Sequence, residues 1–167
     1  MKKGNPISFL EDLISQAFPL CYVILPDDLQ AHQVTIDAFT SFSLQETEAI
    51  KSLYKAESKA DENEVKNIKE QIRQLYFSRI YHLALRRFYQ IKGSLILNSN
   101  VNFFKFYNLD VKTRVVVFFK HKMKFSFDQI EKIMNLSRTD IINKLNLGRD
   151  EILGPEILLH QRHSIDA

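Results

Sequence analysis

Hydrophobic residues recur at helical spacing along nearly the whole chain, and the interruptions predict where one helix gives way to the next. Leu10, Leu13, Ile14, Ala17 and Phe18 form an apolar stripe that predicts a helix from Leu10 to about Leu25. A kink or break is expected at Pro19, because proline lacks a backbone donor and crowds the preceding turn. Pro26-Asp27-Asp28 marks a turn and the start of a second helix, with Ala31, Val34, Ala38 and Phe39 on its inward face. From Ser43 to about Ile91 there is no proline or glycine. The polar stretch from Lys55 to Glu64 predicts either a separation between two helices or an exposed extension. Beyond it, Ile68, Ile72, Leu75, Ile80, Leu83 and Phe88 continue an amphipathic helix that leaves Arg79, Arg86 and Arg87 to solvent.

The rhythm stops between Lys92 and Asn100, where Gly93 and a Ser/Asn cluster predict a linker. Phe103 to Leu109 and Lys112 to Phe119 then supply apolar faces, although the run from Val115 to Phe119 also has strand propensity. Gly154-Pro155 closes the last helix, and the tail to Ala167 is expected to fray. The predicted fold is all-α, with two small helical domains over residues 1–91 and 103–154, a linker over 92–102 and a tail over 155–167.

The segment from Ser126 to Arg149 reads as a helix-turn-helix. Ser126 is followed three residues later by Gln129, and Ser137 by Asp140, so each half opens with a capping-box pattern. Asn135 stands where a tight turn needs a left-handed residue, a conformation asparagine tolerates. At about 100° per residue, Ile141, Leu145, Gly148 and Ile152 share the inward face of the second helix. Thr139, Asn143 and Asn146 lie opposite, with Arg138, Ile142 and Arg149 on one flank and Lys144 on the other. Hydroxyl, amide and guanidinium groups are the side chains that reach base edges and phosphates, so this face is the candidate DNA contact. The plainer alternative is a surface helix with ordinary solvated residues.

Charge favours the first reading. Residues 1–78 carry 8 Lys/Arg against 12 Asp/Glu, residues 79–149 carry 14 against 4, and residues 150–167 carry 1 against 4. The overall net charge of +3 hides this polarisation, which suits a polyanionic partner and salt-sensitive binding. With 167 residues, 45% of them hydrophobic and 13 phenylalanines, the chain has enough apolar material for real cores. No apolar run reaches the roughly 20 residues of a membrane span. The start of the chain lacks a signal-peptide pattern, so a cytoplasmic protein with no membrane partner is expected. Cys21, the sole cysteine, sits among Leu20, Tyr22 and Val23 and reads as a buried structural thiol.

No catalytic constellation is present, and an enzyme is not expected. There is no glycine-rich phosphate loop, and His32, His82 and His121 are scattered. His160 and His163 have ligand-like spacing but no cysteine or carboxylate partners nearby, so no metal and no cofactor is expected.

From Leu109 onward the pattern resembles the C-terminal promoter-binding domain of bacterial sigma factors of the extracytoplasmic-function class. The resemblance is carried by Leu109-Asp110, Arg114 and the bulky apolar run after it, Phe127 to Ile130, Leu136 to Arg138, Ile141, Lys144-Leu145, and Arg149 through Leu153. It implies a second helix lying in the major groove of promoter DNA, with contacts from Arg138, Thr139, Ile142, Asn143, Lys144 and Arg149. Asn146, on the same face by helical geometry, joins this set. The N-terminal half resembles the family's other domain through Leu13-Ile14, Ala31 to Val34, Asp37 to Phe39 and Ile80 to Arg87. That resemblance implies docking on core RNA polymerase through Asp28, His32, Gln33, Ile36 and Asp37, and an inhibitory anti-sigma-type protein as a further partner. The chain departs from the family pattern in having no tryptophan, Glu131 where a small residue is usual, and Asn135 in place of glycine. Two other readings stay open: a sigma-derived module that acts by binding a protein, and a stand-alone DNA-binding regulator.

Overall fold

The computed structural model describes residues 6–59, 61–93 and 101–153. All regular structure among them is helical. The chain divides into two compact units, one of residues 1–95 with 132–134 and the other of residues 96–131 and 135–167.

The first unit contains α1 (Pro6–Ile24), α2 (Asp28–Gln45), α3 (Thr47–Lys59) and α4 (Glu62–Ile91). α4 packs against each of the other three. Leu13, Ala17, Leu20, Cys21 and Ile24 of α1 meet Ala31, Ala38 and Phe42 of α2, Leu53 and Ala56 of α3, and the buried face of α4 in one core. Each large apolar side chain so buried contributes about 1.5–3 kcal/mol, which is what offsets the entropy of ordering these helices.

Pro19 does not break α1, which runs on to Ile24. The ring of Pro19 faces solvent, while Ala17 and Leu20 on either side are fully buried. Packing on both sides therefore outweighs the one backbone hydrogen bond that proline removes. The start of α2 follows the expected logic, because Asp27 accepts a hydrogen bond from the Gln30 backbone N–H at 2.9 Å.

The polar stretch from Lys55 to Glu64 does separate two helices. α3 ends at Lys59, Asp61 caps α4 by accepting from the Glu64 backbone N–H, and Lys69 reaches back to Glu57 at 2.8 Å. The buried line of α4 differs in part from the expected stripe. Ile72 and Ile80 are buried as expected, but Leu75 is 46% exposed, and the aromatic residues Tyr76, Phe77 and Tyr81 take the core positions. The ring of Tyr76 stands edge-on to Phe39 and Phe42, with centroids 6.5 and 5.1 Å away. Arg79 is not free in solvent: it donates to Gln45 at 2.7 Å and pairs with Glu46 at 3.0 Å, tying α4 to the α2–α3 junction. Arg86 and Arg87 are both exposed as expected, and Arg87 donates to Gln30 at 2.7 Å.

Cys21 is fully buried. Burial pushes its thiol up to about 11, against a smaller lowering by a hydrogen bond with Thr35, so the nucleophilic thiolate is suppressed.

The second unit contains α5 (Val101–Asn108), α6 (Val111–His121), the larger part of α7 (Phe127–Met134) and α8 (Arg138–Leu153). α8 packs on α6 and α5. The run from Val115 to Phe119 is helical in spite of its strand propensity. Asp110 caps α6 by accepting from the backbone N–H groups of Lys112 and Thr113, and helical spacing puts Val111, Val115, Val116 and Phe119 into the core together. That burial exceeds the few tenths of a kcal/mol by which β-branched residues disfavour a helix. The last helix ends at Leu153. Residues 94–100 of the predicted linker, the Gly154-Pro155 stop, the tail and the pair His160 and His163 lie outside the described residues.

Candidate nucleic-acid interface

The α7–α8 segment is shaped by local chemistry that its sequence makes plain. Ser126 accepts a hydrogen bond from the Gln129 backbone N–H at 3.2 Å, and the Gln129 side chain accepts from the Ser126 backbone N–H at 2.7 Å, a complete capping box. Asn135 ends α7 in the left-handed region, at φ 52° and ψ 50°. At the start of α8 the Ser137 hydroxyl accepts from the Asp140 backbone N–H at 3.1 Å. The reciprocal half differs from expectation, because the Asp140 carboxylate accepts from the Ser137 hydroxyl at 2.6 Å. Aspartate is one methylene shorter than the glutamate or glutamine of a full box, so it stays on the hydroxyl.

α8 presents its faces as expected. Ile141 and Gly148 are buried, and Leu145 and Ile152 are half-buried. Gly148 lies where a side chain would meet α6, since a Cβ built there falls 2.6 Å from Cγ2 of Val117. On the opposite side Thr139, Asn143 and Asn146 are exposed, with Ile142 beside them at 42% exposure. None of the three polar side chains bonds to another described residue, so their donors and acceptors point to solvent.

The three cations of α8 behave differently. Arg138 is held by Asp128 and, through Nε, by Glu131 at 3.2 Å, and its guanidinium lies over the Phe127 ring at 5.6 Å. Lys144 lies 3.5 Å from Asp110, and Arg149 lies 3.6 Å from Asp150. Each therefore has a carboxylate neighbour within its own unit. Glu131 is one of the two acids on Arg138.

Asp110 joins the cap of α6 to α8. Partial burial raises its pKa, but the Thr113 hydroxyl, Lys144 and the backbone N–H groups of Thr113 and Lys112 outweigh this and hold the carboxyl below its ordinary 3.8. A carboxyl with a depressed folded-state pKa contributes stability above the ordinary value and loses it as pH falls through the folded value. Acid unfolding of Asp110→Asn is therefore expected to show a shallower pH dependence below 3.8 than the wild-type chain, measured by circular dichroism across an acid titration. An unchanged acid limb would mean that the cap and the Lys144 pair do not stabilise the unit. Arg114 plays no part in the exposed face. It is 3% exposed beneath Tyr107, whose ring centroid is 5.2 Å away, and burial lowers its pKa against the opposing pull of Tyr107 and Asp110.

In the first unit, the suggested polymerase-docking residues share the outer side of α2. Asp28, His32, Gln33, Ile36 and Asp37 are all exposed, and Leu29 adds a further apolar group at 74% exposure. His32 is anchored through Nδ1 to the Asp28 carbonyl at 2.7 Å and stacks near Phe18 at 4.2 Å. Gln33 donates to Asp37 at 2.9 Å, and both edge a cleft of about 400 Å³ between α2 and α4 whose far wall includes Arg86 and Arg87.

Two groups escaped the sequence reading. Asp110 and Asp128 were not recognised as partners of Lys144 and Arg138, because sequence separations of 34 and 10 leave no local signal. Lys120 at the end of α6, with Lys122 and Lys124 in the turn after it, forms the second group. Their signal was present, since no acidic residue occurs between Val111 and Phe127. Among the described residues, no group of three or more His, Cys, Asp or Glu side chains is placed to hold a metal ion. No described helix is long and apolar enough to cross a membrane.

No protein-family model matches the chain, and no curated protein is similar enough to be matched.

Proposed function

We propose that this chain is a sigma-factor-like transcription protein whose α7–α8 segment acts as a helix-turn-helix on duplex promoter DNA. The observation that carries the reading is the exposed, unbonded polar row Thr139, Asn143 and Asn146 on a helix introduced by the left-handed turn at Asn135. Amides placed in this way can pair bidentately with adenine in the major groove, and Ile142 can meet a thymine methyl. The basic balance of residues 79–149 supports the same assignment by attracting the phosphate backbone. The outer side of α2, from Asp28 to Asp37, is the surface proposed to meet core RNA polymerase. An anti-sigma-type inhibitor would be a further partner of such a protein.

A second reading rests on the exposed apolar residues of α2: Leu29, Ile36 and Leu44 suit a protein partner whether or not DNA is bound. Two measurements on the full chain separate the readings. Co-elution with core RNA polymerase and transcription from a fork-junction promoter support the sigma assignment. Salt-sensitive duplex binding without polymerase points to a stand-alone regulator, and failure of both leaves the protein-binding module. On a selected binding site, Asn143→Ala is expected to weaken binding by about 1–3 kcal/mol if Asn143 reads a base. An equal loss on unrelated duplexes would place Asn143 on phosphate instead.

A further inference from the structure

We propose that Lys122 and Lys124, in the turn between α6 and α7, are the chain's principal grip on the sugar-phosphate backbone of duplex DNA. The inference rests on the DNA-binding reading above and assigns the backbone contact to residues outside α8.

Three observations converge on this turn. The cations that α8 itself carries already have carboxylate neighbours: Arg138 has Asp128 and Glu131, Lys144 has Asp110, and Arg149 has Asp150. A phosphate would have to compete with those carboxylates. Lys122 and Lys124 are exposed, and neither forms an ion pair with any described residue. No described residue of the second unit neutralises them.

The turn is also held in shape. The backbone N–H groups of Lys122 and Met123 donate to the Phe118 carbonyl at 2.8 and 3.1 Å, and that of Phe125 donates to the Phe119 carbonyl at 3.0 Å. Lys124 adopts φ 58°, in the left-handed region. An L-residue there bears a cost on the order of 1 kcal/mol that glycine would avoid, yet the position holds a lysine. A backbone fixed in advance matters because binding a phosphate then carries no cost of ordering the turn.

The third observation places the turn beside the reading helix. Lys120 donates to the Phe125 carbonyl at 3.4 Å and lies 4.5 Å from the centroid of the Phe127 ring. The same ring carries the Arg138 guanidinium at 5.6 Å. One aromatic side chain thus links Lys120, at the end of α6 where the turn begins, to the first residue of α8. Phosphates flanking the bases that Thr139 and Asn143 would read are the proposed partners of the two lysines. Each phosphate neutralised releases condensed counterions, so the grip is read directly as salt dependence.

The test is the slope of log affinity against log salt for the full chain on a mixed-sequence duplex. Lys122→Gln with Lys124→Gln is expected to reduce the magnitude of that slope by about 2, at about 0.9 for each phosphate lost. Affinity should fall by the same factor on every sequence tested, while Asn143→Ala leaves the slope unchanged. Lys122→Gln alone, which does not touch the left-handed position, is expected to remove about half of the change. If both lysine variants keep the wild-type slope while the duplex still binds, this proposal fails and the DNA reading stands. If the wild-type chain binds no duplex at any salt concentration, both are overturned.

Discussion

Replacing Phe119 with alanine is expected to destabilise the second unit by about 3–5 kcal/mol, the range for deleting a fully buried aromatic ring. Phe119 is completely buried on α6, and its ring stacks on Phe125 with centroids 5.2 Å apart at 25°. Removing it opens a cavity under α6 and takes away the support on which the turn at Lys120 to Phe125 closes. A single domain typically has only about 5–15 kcal/mol in total, so this is a large share. Urea denaturation followed by circular dichroism measures the loss. A loss under about 1 kcal/mol would mean that the site collapses around the missing ring and that Phe119 is not central to the unit.

Gly148→Ala is expected to destabilise the same unit by about 1–3 kcal/mol, the cost of overpacking a close contact. In an ordinary helix this substitution has the opposite sign, because alanine is favoured over glycine by about 1 kcal/mol. Here the new Cβ would fall 2.6 Å from Cγ2 of Val117. Valine is stiff about χ1 in a helix, so α6 and α8 must separate to make room. Shortening the obstacle tests the mechanism: Val117→Ala should recover most of the stability in the Gly148→Ala background. A stabilised Gly148→Ala protein would show that α6 and α8 approach less closely than the structure has them.

Much of the proposed interface was legible from local rules. The caps at Ser126 and Asp27, the left-handed Asn135 and the division of α8 into buried and exposed faces all depend on groups within about one helical turn of each other. Information of that range is written in the sequence directly. The Val115 to Phe119 run was ambiguous for the same reason, since its local propensity favoured a strand while its spacing fitted a helix. Only burial of Val111, Val115, Val116 and Phe119 together decides between them.

What the sequence by itself determined is the all-helical class, the helix boundaries near polar punctuation, the basic character of residues 79–149 and the candidate reading face of α8. Tertiary structure decided which charges are spent and which remain. Arg79 turned out to be committed to Gln45 and Glu46, Lys144 to Asp110, and Arg138 to Asp128 and Glu131. It also decided that α1 continues through Pro19. Most of these outcomes depend on residues distant in sequence, or on packing that outweighs local propensity. An electrostatic partner at a separation of 34 leaves no periodic trace, so only the fold shows that Lys144 has Asp110 beside it while Lys122 and Lys124 pair with no described carboxylate.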